Sequence, residues 1–355
     1  MSPDPVRLAL TVAGVLALTA GAPTGVAWAF LLAVPVVLAI STRRGVRVAA
    51  VLVLLGGAIG LRIAITDGFG SDVLSVTKAA IGRVLEGQNP YGFQYPESTP
   101  PGAAFPYGPV ALLWYLPLWR NPELIEMAAA AVTAIILALE GRLLGLAVYA
   151  AAPVLLASAV DGSNDTSLGL LLLVAFLFAR RWPSIGAVVL GLAVAFKLSA
   201  LAFVPAYLAW AGWQAAGSFV AISLVAWGPV ISPWRVQVFL RSLELASPAQ
   251  RTPYSSLGAV IHALTNGPVD ILDQLRFVFG GLAAAATLPL RRSIDGVIIA
   301  GSIVYVVTLY SGVWASYAYL AALAPVVCWR LDGWLGVPSQ PFRLPRRLLP
   351  AALRA

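Results

Sequence analysis

A chain of 355 residues in which 60% are hydrophobic, only 11% are charged and the mean hydropathy is +0.87 lies far outside the range of soluble domains, where about a quarter of residues are charged. The apolar residues fall into many separate runs, not one amino-terminal run ahead of a polar domain, so a cleaved leader does not explain them. The reading is an all-α polytopic membrane protein forming a single integral-membrane domain over 1–355. The net charge of +8 comes from 23 basic against 15 acidic residues, and a helical membrane protein places such an excess for topology before any nucleic acid. The one cysteine, Cys328, sits in an apolar run, which excludes an intramolecular disulfide and reads as inert packing.

Spans are expected at 7–21, 24–41, 46–65, 122–140, 143–160, 167–180, 183–197, 198–211, 214–231, 270–290, 293–310 and 316–331. That is about 12 transmembrane helices, with 10–13 as the range, several of them short for a bilayer needing ~20 residues. The segment "FPYGPVALLWYLPLW", 105–119, is read as a half-embedded surface helix because it is short and holds three prolines. The apolar run 183–210 is read as two short helices turning near Lys197. With those choices Arg43, Arg44, Arg47, Arg142, Arg180, Arg181, Arg291, Arg292 and a basic tail over 332–355 share the cytoplasmic side, as the distribution of basic loops requires.

Three polar segments then converge on the outer side: a first loop over 66–105, the turn "DGSND" at 161–165, and a loop over 232–256. In the first loop, Val73, Val76, Ala80 and Val84, with Leu74, Ile81 and Leu85, recur at helical spacing and predict an amphipathic helix on the outer membrane surface. Asp72 precedes its first turn, where a carboxylate either caps backbone N–H groups or serves chemistry. Gly87 with "QNPY" turns the chain back. The inner loops carry no phosphate-binding glycine loop and no histidine or cysteine cluster, and no internal repeat of the kind that builds transporters stands out.

Asp72, the helix after it, "LEGQNPYG", "FPYGP" and "LPLW", followed by "DGSND", "LGLLLLVAFLF" and "GAVVLGLAVAFKLSALAFVPAYL", resemble in order and spacing the GT-C integral-membrane glycosyltransferases, above all the polyprenol-phosphate-mannose-dependent mannosyltransferase type. The resemblance covers most of 60–260, with Ser163 where that family often has glutamine and Leu198-Ser199 in place of a proline. It implies a plasma-membrane, multi-pass transferase that moves a sugar, mannose by preference, from a polyprenyl-phosphate carrier to a lipid or glycan acceptor. Transfer would occur on the outer face, with inversion; from the residues no cofactor is expected, and a divalent metal is the disfavoured alternative.

By position Asp72 would be the general base, with Asp67 the competing carboxylate. A carboxylate that removes the hydroxyl proton gains about 10²- to 10⁴-fold. The carrier phosphate leaves as an anion and calls for cations, for which Lys78, Lys197, Arg235, Arg241 and Arg251 are the candidates. Asn164, Asp165, Tyr91 and Tyr107 are the expected substrate contacts. Each has a plainer reading: Lys197 snorkelling, Arg62 pairing Asp67 or Asp72, His262 interfacial, and Asp161 and Asp165 capping helices in preference to holding a metal. The alternative function is a transporter or flippase of anionic lipid-linked saccharides, which would make no product.

Overall fold

A computed structural model describes residues 44–64, 71–99, 101–152, 155–156, 161–246, 255–316 and 318–336. Among these residues the chain is all-helical, with an isolated bridge between Tyr95 and Ala103 as its one extended pairing. The helices are α1 (Arg44–Ala64), α2 (Val73–Leu85), α3 (Pro109–Tyr115), α4 (Glu123–Leu139), α5 (Leu143–Ala151), α6 (Asp165–Ala179) and α7 (Pro183–Phe196). They continue as α8 (Val204–Ala211), α9 (Trp213–Ile231), α10 (Val236–Leu245), α11 (Leu257–Thr265), α12 (Leu272–Thr287), α13 (Ile294–Tyr310) and α14 (Tyr319–Trp334).

The expectation of about twelve spans is not met among the described residues. By length and composition α9 alone can cross a membrane, or two segments can if Pro109–Leu118 and Glu123–Leu139, bent by 98°, count as one. The other apolar helices are shorter, among them Asp165–Ala179, Pro183–Phe196 and Ile294–Tyr310. The cause is local: at 1.5 Å per residue a helix of 15 residues rises ~22 Å, short of a ~30 Å hydrocarbon layer. Polar breaks and 3₁₀ turns inside the apolar runs end the helices early. The expected spans at 7–21 and 24–41 lie outside the described residues, as do most of the tail and Asp67. The helix of the last span runs on to Trp334, so Asp332, assigned to the tail, is a buried helical residue.

The reversal near Lys197 is present. Lys197 leaves α7 in extended conformation, a 3₁₀ turn over Leu198–Phe203 follows, and α8 runs back far enough for the Tyr207 hydroxyl to donate to the Pro183 carbonyl at 2.8 Å. Around this hairpin the core is aromatic: Phe176 meets Phe203 and Tyr207, and Phe203 meets Tyr305.

Helices α6, α7 and α14 connect two polar ends of the bundle. At one end Arg180 pairs with Glu140 at 2.7 Å, the Trp329 indole donates to the same carboxylate, and Arg330 pairs with Asp295. Of these, Arg180 was among the residues expected on the inner side. The opposite end gathers Asp165, Lys197 and Tyr319, at the far termini of the same helices.

Helix α2 forms where its spacing predicts, but Leu74, Val76, Thr77, Ala80 and Ile81 are buried against the protein. Its apolar face is therefore covered by the bundle, not laid on a membrane surface. The segment expected to lie half-embedded is a helix of seven residues and a 3₁₀ turn, opened by Gly108-Pro109. Gly108 is needed there: its N–H donates to the Phe196 carbonyl, and a Cβ would stand 2.0 Å from the Ala195 oxygen. Gly108→Ala should therefore cost about 1–3 kcal/mol or more through overpacking, read as a lowered melting temperature. Gly82→Ala, mid-helix in α2 with nothing within 4 Å of its added methyl, should be neutral or stabilising by up to ~1 kcal/mol.

Candidate active site

Two backbone hydrogen bonds tie the first loop to the "DGSND" turn. The Ser71 N–H donates to the Asp161 carbonyl at 2.5 Å and the Leu74 N–H to the Gly162 carbonyl at 2.9 Å. Gly162 makes this possible, with φ of +83° and its Cα so close to Ser71 that a Cβ would stand 2.6 Å from the Ser71 oxygen. Asp72 lies between the two bonds. It occupies the N-cap position of α2 without capping it, and the Leu74 N–H is taken by the Gly162 carbonyl. Its Oδ2 accepts the Thr99 N–H at 2.6 Å instead. The capping explanation of Asp72 is thus corrected.

The third outer segment joins through Asn89, whose Oδ1 accepts the Tyr91 N–H and whose Nδ2 donates to the Trp234 carbonyl. The Gly92 N–H donates to Ser242 Oγ at 2.6 Å, and Tyr91 packs against Phe105, Trp234 and Phe239. All three polar segments therefore meet, as expected.

A cleft of about 220 Å³ opens at this junction, lined by Asp72, Ser98, Tyr107, Asp161, Asp165, Lys197, Trp314, Ser316 and Tyr319 among others. Lys197 Nζ donates to Asp165 Oδ1 at 2.7 Å and to Asn164 Oδ1 at 2.9 Å. The rings of Tyr107 and Tyr319 stand 5.6 and 5.4 Å from it, within cation–π range. The Lys197 and Asp165 side chains are 12% and 3% exposed, so this is a buried ion pair and not a snorkelling lysine. Asp165, expected to cap, holds Lys197; Asp161 Oδ1 accepts the Ser163 N–H at 2.8 Å within its own turn, and neither carboxylate caps α6. Among the described residues no group of three or more histidine, cysteine or acidic residues is arranged to hold a metal.

The other candidates divide. Tyr91 is buried outside the cleft and reaches it through its hydroxyl, which donates to the Tyr107 carbonyl at 3.1 Å. Asn164 is fully buried and acts on the cleft through Lys197. Lys78, Arg235 and Arg241 are exposed and do not line the cleft, so the expected cluster of phosphate-binding cations is not assembled there; Arg251 lies outside the described residues. Arg62 is buried and donates to the carbonyls of Ala58, Tyr149 and Leu155. His262 is exposed, its Nδ1 3.1 Å from the Gly267 carbonyl at the end of α11. Trp314, Ser316 and Tyr319 were missed in the sequence. The polar stretch "SGVWASYAY" between two apolar runs was the available signal.

Comparison with protein-family models, with curated proteins and with solved structures finds no match for this chain.

Burial raises the Asp161 carboxyl to about 6, the hydrogen bonds from Ser163 opposing the shift, with the Asp165 charge raising it and Lys197 lowering it. A folded-state value above the ordinary ~3.9 means that ionisation opposes folding, so this cost is absent below about pH 4 and complete above about pH 6. Asp161→Asn keeps the acceptor for Ser163 and removes the charge. Its stability relative to the parent should rise between pH 4 and 7, by up to ~3 kcal/mol, in parallel thermal melts.

Removing one partner of a buried pair strands the other charge. Lys197→Met and Asp165→Asn should each destabilise by about 3–5 kcal/mol, with the double variant losing much less than their sum. Additive losses in a double-mutant cycle would contradict a shared pair.

Proposed function

We propose that this protein is a multi-pass membrane glycosyltransferase that moves a sugar from a polyprenyl-phosphate carrier to a lipid or glycan acceptor, with Asp72 as general base. The observation that carries the reading is that Asp72, far in sequence from Asp165 and Lys197, shares one cleft with them and with the Tyr107 and Tyr319 rings. Two backbone bonds on either side of Asp72 hold it there.

In this reading the acceptor hydroxyl gives its proton to the Asp72 carboxylate as its oxygen bonds to the anomeric carbon. The bond from that carbon to the carrier oxygen breaks, and the electron pair leaves with the phosphate. Attack from the face opposite the leaving group inverts the centre. An ammonium has three N–H donors; Lys197 uses two on Asp165 and Asn164, which leaves the third for an oxygen of the leaving phosphate. Tyrosine rings suit the apolar face of a sugar, and a mixed aromatic and polar lining is what small-ligand sites share. The grouping of Arg180, Glu140, Arg330 and Asp295 at the opposite end of the bundle supports placing the cleft on the outer face, where inner basic residues set orientation.

Asp72→Asn tests the reading. The amide oxygen can still accept the Thr99 N–H, so the loop should hold and the protein should fold and bind donor. It cannot take a proton, so turnover of a polyprenyl-phosphate sugar in detergent should fall by about 10² or more, equivalent to ~2.7 kcal/mol or more of barrier. Wild-type turnover by Asp72→Asn would remove the base role. Donor binding with no product from the parent protein under any acceptor would favour a transporter.

A further inference from the structure

Helix α6 carries Asn164 and Asp165 at its start, yet neither side chain caps it. Its first-turn donor is met from another helix. Glu126, on the first turn of α4 and 1% exposed, accepts the Ser167 N–H on Oε2 at 3.0 Å. The Ser167 hydroxyl donates to the other oxygen, Oε1, which also accepts the Tyr115 hydroxyl at 2.6 Å. The Trp114 indole donates to Ser167 Oγ at 2.9 Å. One buried carboxylate thus joins α6 to α3. Asp161 and Ser163 just before α6, Asp165 at its start, and Pro106 and Tyr107 just before α3 all line the cleft.

We propose that Glu126 is a positioning residue that sets the Lys197–Asp165 pair by fixing the start of α6 against α3. It touches no part of the cleft itself. With the carboxylate in place, the Asp165 and Asn164 acceptors stand within hydrogen-bond distance of Lys197 Nζ while Tyr107 is held over the same ammonium. Glutamine cannot reproduce this: the site presents three donors, from Ser167 N, Ser167 Oγ and Tyr115, and an amide nitrogen accepts none of them. The start of α6 would then loosen and the grip on Lys197 with it. This deepens the transferase reading and rests on it for its kinetic arm alone.

The chain has two lysines, Lys78 and Lys197, one exposed and one in the cleft, so amine labelling followed by mass spectrometry reads the pair directly with Lys78 as internal standard. The full-length protein in detergent is labelled with an amine-reactive ester. In Glu126→Gln, and independently in Ser167→Ala, the Lys197 to Lys78 labelling ratio should rise about ten-fold, the scale of losing a charged hydrogen bond. Asp165→Asn sets the ceiling. Thr133→Val, a change at another buried polar residue of α4, should leave the ratio as in the parent. An unchanged ratio in both Glu126→Gln and Ser167→Ala, or an equal rise in Thr133→Val, overturns the proposal. In the kinetic arm the loss of kcat/KM caused by Glu126→Gln should vanish in an Asp165→Asn background, because the pair it positions is already gone. Equal losses in both backgrounds would show a general structural role and reject positioning. A parent protein without transferase activity would defeat the functional reading while the labelling ratio still decides the role of Glu126.

Discussion

A lysine ammonium at the apex of a helical hairpin, almost out of water, is the constraint around which this end of the molecule is arranged. Taking an ammonium out of water costs several kcal/mol, and the cost is offset only where an anion and further acceptors meet it in good geometry. The chain supplies Asp165 and Asn164 from one helix start and two ring faces from Tyr107 and Tyr319. Those four residues come from three distant parts of the sequence. Satisfying one charge therefore brings together the segment just before α3, the "DGSND" turn and the start of α14, and the cleft lies at their junction.

A related device recurs at the start of α5 and in one loop, whereas α11 and α13 carry the local serine caps Ser256 and Ser293. Local caps are scarce, and buried carboxylates from other helices accept the exposed N–H groups instead. Glu126 serves Ser167 near the start of α6, Asp332 accepts from Leu144 and Gly145 at the start of α5, and Asp273 accepts from Val313 in the loop that carries Trp314. Each is a charge-assisted bond, stronger than a neutral one. Each also ties together two distant parts of the chain, which a local cap cannot do. Buried acidic residues in so apolar a chain are thus fasteners between helices, and the site inherits its geometry from them.

What the sequence made legible follows from which forces act locally. The helix after Asp72, the reversal at Lys197 and the meeting of the three polar segments were all readable, because apolar spacing, a lone charge in a long apolar run and polar interruptions are local signals. The roles of the carboxylates were not. Whether Asp72, Asp161 or Asp165 caps a helix depends on whether another segment has already taken the donor, and Gly162 or Glu126 took it in two of these cases. Glu126 fell within the expected span 122–140 and was given no role. The span count was not met among the described residues for a related reason: hydropathy sums over an apolar run and does not report helix length, and Asp165–Ala179, Pro183–Phe196 and Ile294–Tyr310 are apolar but short.

Charge balance narrows what the cleft can receive. Among its described lining residues Asp72, Asp161 and Asp165 face a single cation, Lys197. Ion for ion that lining is negative, and a bare anion entering it is repelled unless its approach is compensated. Two features of the structure act in that direction. Asp161 is pushed up to about 6 by burial, so near and below that pH one of the three carboxylates becomes neutral. Asp165 is already engaged by Lys197, and Asp72 is held by the Thr99 N–H. A carboxylate attracts a hydroxyl donor, whereas a phosphate must bring its charge to the one ammonium and share it with Asp165. In the proposed transferase reading the carrier phosphate lies at the edge nearest Lys197 and the acceptor hydroxyl toward Asp72, the arrangement that this charge balance favours.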